Sequence, residues 1–212
     1  VARARAAQGP WAARPLAERI ALVKAGVARL TAMKETVALE LSHQMGRPIR
    51  YGQGEMGGVN ARTDYMSDIA AETLAHHMIE DSDKFRRYLA RDPLGVVFII
   101  APWNYPYLTT INTLAPALIA GNTVVLKHAS QTLLVGERLA QAFHEAGVPA
   151  DVFQNVVLDH ATTESLIAGR AFNFVNFTGS VGGGRAIERA DGAIVRRDSA
   201  GRAVAGLRHR GD

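Results

Sequence analysis

The chain has 212 residues, of which 48% are hydrophobic and 7% aromatic, enough to bury a core as one large or two small domains. Its formal net charge of +4 comes from the two ends, since residues 1–19 and 185–212 each carry a net +3 and residues 20–184 carry −2. Because no basic face recurs along a helix, the composition argues against a nucleic-acid partner.

No apolar run approaches the ~20 residues of a membrane span. The most apolar stretch, residues 94–101, ends at Pro102. The N-terminal residues carry Arg without an apolar segment, unlike a secretory signal, and the chain has no Cys for a disulfide framework. None of the seven His has metal-ligand spacing around it. We therefore expect a soluble, cytoplasmic protein with no membrane partner and no metal site.

The first 91 residues are expected to be mainly helical. Apolar residues recur at helical spacing over residues 15–43, which predicts a long amphipathic helix or a helix pair, ended by Gly46 and Pro48. A glycine-dense patch follows, and because glycine weakens a helix, the next helix is predicted only over residues 59–78. Residues 85–91 are predicted to form a short strand.

Further along, strand and helix patterns alternate, and continuous apolar strands separated by helices predict an α/β fold with a doubly wound parallel sheet. In such sheets ligands bind beyond the carboxyl ends of the strands, so the residues just after each strand are the site candidates. In chain order the predicted strands are 96–100, 123–127, 151–157 and 172–178, and the predicted helices between them are 108–120, 132–146 and 162–168.

The first of these strands ends in a turn that holds Trp103 and Asn104. Pro102 and Pro106 fix an extended backbone, so both side chains are expected at the rim of the sheet. An Asn carboxamide could stabilise negative charge that develops on a substrate oxygen. The alternative, favoured for a lone Asn, is a turn residue that satisfies its own backbone.

The second strand ends with Lys127, His128 and, after one residue, Ser130. Beside a crevice, Lys127 and Ser130 are candidates for contacts to ribose hydroxyls or phosphate. The alternatives are a surface Lys and a Ser that caps the following helix. His128 is expected to be structural and exposed.

The fourth strand leads into a glycine-rich turn before a helical segment at residues 185–190. Its amides could face a pyrophosphate at a helix N-terminus. The turn has neither the G-x-G-x-x-G spacing nor the Lys-Ser/Thr pair of a P-loop, so a flexible turn is the alternative. The candidate residues are Thr178, Gly179, Ser180 and Gly184.

The order of motifs PWNYP, VVLK and FTGS with a second Gly soon after, each at the end of a strand, is similar to the aldehyde dehydrogenase superfamily. The resemblance covers roughly residues 92–188, and residues 15–91 resemble that family's N-terminal helices. It implies a Rossmann-like cofactor domain over residues 92–190, with residues 1–91 packed on it as an N-terminal helical segment. It also implies NAD(P)-dependent oxidation of an aldehyde to a carboxylic acid.

By this resemblance, Asn104 would be the oxyanion-hole donor, and the cofactor would be NADP or NAD. Trp103 would line the cofactor cleft, and Lys127 would hold the adenine-ribose hydroxyls. The remaining contacts, beside the pyrophosphate and the nicotinamide ribose, would come from Thr178, Gly179 and Ser180, with Gly184 closing that loop.

Two positions depart from the family pattern in a way that bears on the cofactor. Ser130 stands where the family often has a Glu, whose carboxylate repels a 2′-phosphate, so NADP is expected to bind at least as well as NAD. His128 replaces the commoner Pro and is expected to add a cation near that phosphate.

A larger departure concerns catalysis. The family reaction begins with a Cys thiolate, yet the chain has no Cys, and the Leu-Glu-Leu-Gly-Gly segment that carries the general-base Glu is also missing. In its place residues 191–212 are rich in Arg, Ala and Gly, which favours a disordered tail produced by a reading-frame change near residue 190. We expect a fragment that is inactive alone. The alternative is a nucleotide-binding or subunit-associating remnant without turnover.

The resemblance further implies a small-molecule aldehyde as the substrate in the full-length context, and assembly into a homo-oligomer as in the family. The segment KHASQT, residues 127–132, resembles the corresponding stretch of succinate-semialdehyde enzymes, which favours a semialdehyde. A sheet that stops after four strands is expected to leave an open edge and an exposed apolar patch.

Overall fold

The computed structural model describes residues 1–191, 196–197 and 203–208. Its N-terminal part is helical, and the helix predicted over residues 15–43 is a pair, α2 and α3. Gly46, at φ 72°, ends α3 in the left-handed conformation expected of a glycine at a helix C-terminus. The helices are α1 (Ala2–Ala12), α2 (Leu16–Ala32), α3 (Lys34–Met45), α4 (Ile49–Asp68) and α5 (Ala70–Leu74).

The start predicted for α4, at residue 59, is wrong, because the glycine-dense patch lies inside the helix. A Cβ added at Gly52 would lie 2.9 Å from the Cα of Ala38 on α3, and one added at Gly58 would lie 3.3 Å from Leu108. The two glycines therefore let α4 pack closely against its neighbours, which offsets their poor helix propensity.

An antiparallel hairpin follows the helices. It is formed by β1 (His77–Asp81) and β2 (Arg86–Leu89). β2 confirms the strand predicted over residues 85–91, whereas β1 begins where a helix was predicted to end. The large apolar side chains Ile79, Phe85, Tyr88 and Leu89 are exposed on this hairpin.

The main sheet confirms the predicted α/β fold. Among the described residues its strands lie in the order β5-β4-β3-β6-β8-β7, in which the first four run parallel to one another and the last two are β8 (Ala203–Arg208) and β7 (Arg196–Arg197). The elements are β3 (Val96–Ile100), α6 (Pro106–Ile119), β4 (Thr123–Lys127), α7 (Leu133–Glu145), β5 (Phe153–Val156), α8 (His160–Ala168), β6 (Phe174–Phe177) and α9 (Val181–Asp191).

Helices cover both faces of this sheet, as in a doubly wound fold. Val97 and Ile99 of β3 pack in the core formed with α2, α4, α6 and α7, whereas Phe98 packs on the opposite face with Ile167 of α8 and Ile187 of α9. From β3 the chain runs outward through β4 to β5 and then crosses back to β6 on the other side. The crevice between β3 and β6 is thus the switch point at which such folds bind ligands.

The edge beside β6, expected to be open, is covered by β8 (Ala203–Arg208), which runs antiparallel to β6 and pairs with β7 (Arg196–Arg197). Two short strands thus lie within the segment predicted to be a disordered tail. Residues 192–195, 198–202 and 209–212 are outside the described residues, so the tail and the reading-frame change stay predictions. In the part of the chain that is described, none of the helices has the length and apolar character needed to cross a membrane.

Candidate functional site

The candidate residues lie at the carboxyl ends of three adjacent strands, β4, β3 and β6. The amide of Ala101 donates a hydrogen bond to the carbonyl of Lys127 at 3.1 Å, and the amide of Thr178 donates to the carbonyl of Ile100 at 3.0 Å. These bonds join the end of β3 to the ends of both neighbours. The residues that follow three separate predicted strands therefore lie at one edge of the sheet.

Lys127, the last residue of β4, is only 6% exposed, and burial lowers the pKa of its ammonium group. Within residues 1–191, no carboxylate lies at ion-pair distance from it. Burying a cation without a partner is costly, so the ammonium is well suited to receive oxygen atoms of a ligand. The alternative of a surface Lys does not describe this residue.

His128 was expected to be exposed and to carry a positive charge, and the structure contradicts both expectations. Its side chain is 2% exposed, Nδ1 accepts a hydrogen bond from the Ala129 amide at 3.0 Å, and Thr132 Oγ1 lies 2.9 Å from the same nitrogen. Nε2 lies 3.4 Å from Thr110 Oγ1. Burial lowers the pKa of the imidazole to about 4. His128 is therefore neutral near pH 7, and the predicted cation near a 2′-phosphate is wrong.

Ser130 is exposed just beyond the end of β4 and begins a short 3₁₀ turn, Ser130–Thr132. The N-cap of α7 is Thr132, so the alternative of Ser130 as the cap of that helix is wrong. The position of the Ser130 hydroxyl beside Lys127 is compatible with a contact to the same ligand.

A second group of candidates forms the β6 loop, which we define as residues 178–180. Thr178, Gly179 and Ser180 are all exposed. The ring of Phe177 lies directly beneath the loop, since a Cβ added at Gly179 would be 2.7 Å from its Cζ atom. Glycine is thus required by the close approach of backbone to ring.

Helix α9 begins at Val181, earlier than the predicted residue 185. Ser180 Oγ accepts a hydrogen bond from the amide of Gly183 at 3.1 Å, as an N-cap does. Gly184 is buried in the first turn of α9 and its amide donates to the Ser180 carbonyl at 2.9 Å. Its predicted position as the residue that closes the loop is therefore wrong.

The β3 turn, which we define as residues 101–105, presents Trp103, 47% exposed, and Asn104, also exposed. Among the described residues, the Asn104 carboxamide makes no hydrogen bond. A turn Asn that satisfies its own backbone would make one, so the structure favours a carboxamide available to a ligand. Tyr105 ends the turn in the left-handed conformation, φ 50° and ψ 54°, and is the N-cap residue of α6.

Glu55 of α4 supports the β3 turn, and the sequence did not single it out. Its side chain is fully buried, and Oε1 accepts hydrogen bonds from the amides of Tyr107 at 2.8 Å and Leu108 at 2.9 Å. Oε2 forms an ion pair with Arg47. Burial raises the pKa of the Glu55 carboxyl, while the two amides and Arg47 oppose that shift. The sequence signal that could have identified Glu55 is an acidic residue beside Met56, on the face of the helix that carries its buried residues.

A groove of about 420 Å³ adjoins this support. Tyr105, the residue after Asn104, forms one wall, and Arg47, Tyr51 and Leu108 form others. The groove therefore adjoins the end of the β3 turn at Tyr105.

Two features of the crevice suit a dinucleotide. Lys127, whose side chain is largely buried, supplies an ammonium group without an ion-pair partner on one side of β3, and the N-terminus of α9 lies on the other side, where amides can face a pyrophosphate. A Cβ added at Gly182, in the first turn of α9, would meet nothing within 4 Å. The helix end is therefore open to a bound phosphate group.

Known proteins with similar sequences are aldehyde dehydrogenases. Residues 1–199 match the aldehyde dehydrogenase family. An N-succinylglutamate 5-semialdehyde dehydrogenase of Novosphingobium aromaticivorans is 34% identical over 189 residues, covering 89% of this chain and 40% of that protein. An NADP⁺ succinate-semialdehyde dehydrogenase of Deinococcus radiodurans is 30% identical over 93% of this chain and 41% of its own length.

Solved structures share the fold. A succinic semialdehyde dehydrogenase from Streptococcus pyogenes, in complex with NADP⁺, superposes with a TM-score of 0.82 at 29% identity, over 90% of this chain and 42% of that one. An NAD-dependent aldehyde dehydrogenase from Sinorhizobium meliloti gives 0.83 at 32% identity, over 90% and 39%. The chain spans about 40% of the length of the curated relatives it matches.

Proposed function

The chain belongs to the aldehyde dehydrogenase family, and on that basis we propose that it forms the nucleotide-binding part of an enzyme that uses NAD(P) to oxidise an aldehyde to a carboxylic acid. The observation that carries the proposal is the placement of Lys127, Asn104 and Ser180 at the ends of three adjacent parallel strands. An ammonium group without an ion-pair partner and an open helix N-terminus support a dinucleotide in the crevice between them.

Each residue has a distinct task in this proposal. Lys127 donates to the ribose hydroxyls of the adenosine half, and the β6 loop with the first turn of α9 faces the pyrophosphate. When bound, the nicotinamide would supply the hydride acceptor for an aldehyde carbon to which a nucleophile has already added. Asn104 donates its N–H to the substrate oxygen as negative charge develops there, which is the step at which a fixed donor contributes most. Trp103 borders the cofactor cleft beside it.

We propose that NADP binds at least as tightly as NAD. Ser130, exposed beside Lys127, presents a hydroxyl and no carboxylate to a 2′-phosphate, so the repulsion that would select NAD is absent at that position. The neutral His128 contributes no charge to this preference. Parallel titrations with NADP and NAD test it, and clearly tighter binding of NAD would contradict it.

For turnover we propose that the 212 residues on their own bind the nucleotide without reducing it. The supporting observation is the composition, which contains no Cys and thus no thiolate nucleophile. An assay of nicotinamide reduction over a panel of aldehydes separates a nucleotide-binding module from a working dehydrogenase. Reduction above the buffer rate would rule out the binding-only role.

As the class of aldehyde we propose a semialdehyde. The KHASQT segment supports it, and the two curated relatives described above are both named as semialdehyde dehydrogenases. A panel that compares succinate semialdehyde with benzaldehyde, by calorimetric binding in the presence of NADP, tests the class. Preferential binding of benzaldehyde would contradict it.

The decisive test of nucleotide binding is Lys127→Met, which keeps the length of the side chain and removes its charge. Loss of a hydrogen bond to a charged group costs about 1.5–3 kcal/mol, so NADPH should bind roughly 10–100-fold more weakly. Lys24→Met is the matched control, since Lys24 is a half-exposed Lys of α2 paired with Asp64 at 2.7 Å. Unchanged NADPH affinity in a folded Lys127→Met chain would overturn the proposed site.

A further inference from the structure

We propose that Glu55 and Arg47 are positioning residues that hold the β3 turn, and with it Asn104 and Trp103, from outside the turn. The role rests on the proposed function, in which Asn104 donates to the substrate oxygen and Trp103 borders the cofactor. It adds two side chains of the N-terminal helical segment to the machinery of the sheet edge.

The first support is the unusual cap of α6. The first amides of a helix have no partner within it, and an N-cap side chain usually accepts from the second or third residue. Here the N-cap is Tyr105 and makes no side-chain cap bond, and Pro106 at the first position has no N–H. Both remaining amides, of Tyr107 and Leu108, donate to Glu55 Oε1 at 2.8 and 2.9 Å. A carboxylate at this end also complements the helix dipole.

The second support is the backbone of Tyr105. A non-glycine residue at φ 50° is in the left-handed region, which costs about 1–2 kcal/mol and persists only where the surroundings impose it. The Arg47 guanidinium lies 4.5 Å over the Tyr105 ring, within cation–π range. One ion pair thus contacts the ring of Tyr105 and the backbone just after Pro106. Together these contacts determine the direction in which the preceding residue, Asn104, leaves the sheet.

A second Arg–Glu pair, between α3 and α7, provides a matched comparison. Arg138 of α7 pairs with Glu40 of α3, and its hydrogen bonds go to α3 and α7 only. The two pairs are alike in chemistry and both are largely removed from solvent. Within the described part of the chain they differ in that the Arg47–Glu55 pair contacts the β3 turn and the Arg138–Glu40 pair makes no hydrogen bond to it.

Two substitutions disrupt the Arg47–Glu55 ion pair but leave an acceptor for the α6 amides in place. Glu55→Gln retains an oxygen that can accept from both α6 amides, but its NH₂ group faces the Arg47 guanidinium, donor against donor. Arg47→Met removes the guanidinium and leaves the carboxylate. In both variants α6 keeps its acceptor, while Tyr105 loses its restraint, so the β3 turn should loosen with α6 intact.

The readout is Trp103. Acrylamide quenching of tryptophan emission is measured without nucleotide, and a Trp103→Phe chain gives the contribution of Trp11, which is 1% exposed. Glu55→Gln and Arg47→Met should raise the Trp103 quenching constant, and Glu40→Gln should not. With NADPH present, both variants should lose energy transfer from Trp103 to the nicotinamide and bind about tenfold more weakly, the factor that corresponds to 1.4 kcal/mol.

Unchanged Trp103 quenching in folded Glu55→Gln and Arg47→Met chains would overturn the inference, as would an equal rise in Glu40→Gln. If either variant fails to fold, Tyr105→Leu decides, because Tyr105 is 58% exposed and its ring can be removed without opening the core. A rise in Trp103 quenching in that variant supports the role of Arg47, and no rise overturns it. If the variants show these quenching effects but the wild-type chain does not bind NADPH, the proposed function is refuted and the positioning role stands.

Discussion

The β3 turn and the β6 loop follow neighbouring parallel strands and open into the same crevice, yet they are held in different ways. The β3 turn depends on residues far away in the chain, since Arg47 contacts the ring of Tyr105 and its partner Glu55 of α4 holds the α6 amides that follow the turn. The β6 loop is held locally, by the Ser180 cap of α9 and the ring of Phe177 beneath Gly179.

The difference corresponds to what each segment must do. A side-chain donor such as Asn104 must meet developing charge within a narrow range of positions, because a small misplacement is costly in rate. A loop that offers backbone amides and a helix N-terminus to a pyrophosphate tolerates small shifts. Remote support at one strand end and local support at the other should therefore give different responses to mutation.

The largest expected effect is that of Glu55→Ala on stability. It leaves Arg47 without its partner in a nearly buried site and removes the acceptor of two α6 amides. Breaking a buried pair by removing one partner costs about 3–5 kcal/mol, which urea unfolding can measure. Glu40→Ala, in the more exposed pair with Arg138, should cost clearly less. Equal losses in the two variants would remove the distinction between a remotely held turn and the rest of the fold.

The pH dependence of the free energy of unfolding tests the same region, because it depends on His128. It lies against Thr110 in the first turns of α6, and its pKa falls from 6.5 to about 4 on folding. The unfolded chain binds more protons between these values, so stability is full above pH 6.5 and is lost as pH falls towards 4, by at most about 3 kcal/mol. His128→Gln should flatten this part of the pH dependence of urea unfolding. A parallel dependence in both chains would show that His128 is not the titrating group.

The sequence predicted the locally supported parts well. β3 and β4 were predicted to the residue, because fully buried parallel strands are continuous apolar runs, and α3 ends at Gly46 as expected. Likewise the choice of residues just after each strand as site candidates followed from the strand alternation. These features depend on short-range composition and on the general geometry of parallel sheets.

The remotely supported parts were beyond such reasoning. Glycine propensity alone predicted a weakened helix at the glycines of α4. Their close contacts with Ala38 and Leu108 join segments that are distant in sequence, so the pattern did not show them. The burial and neutrality of His128 depend on Thr110 and Thr132, which pattern alone does not place around it. Glu55 was missed for the same reason, since its partners are 52 and 53 positions away.

Gly52→Ala is expected to have an effect of intermediate size on stability. The new Cβ would lie 2.9 Å from the Cα of Ala38, so α4 must shift from α3, at a cost of about 1–3 kcal/mol. Because Glu55 lies on α4, Trp103 quenching should rise as well. Gly57→Ala is the matched control on the same helix, where an added Cβ meets nothing within 4 Å and the better helix propensity of Ala should leave stability unchanged or raised. Destabilisation by Gly57→Ala instead would argue against close packing as the reason for Gly52.

The smallest effect is expected at the β6 loop. Ser180→Ala removes the acceptor of the Gly183 amide and should cost about 1 kcal/mol in urea unfolding, with Trp103 quenching unchanged because the loop is held locally. Ser180→Asp separates stability from function. Asp is as good a cap as Ser, so the chain should keep its stability, but the new negative charge at the N-terminus of α9 would repel a pyrophosphate and weaken NADPH binding. If Ser180→Asp binds NADPH as the wild type does, the pyrophosphate does not lie at this helix, and the β6 loop has a structural role alone.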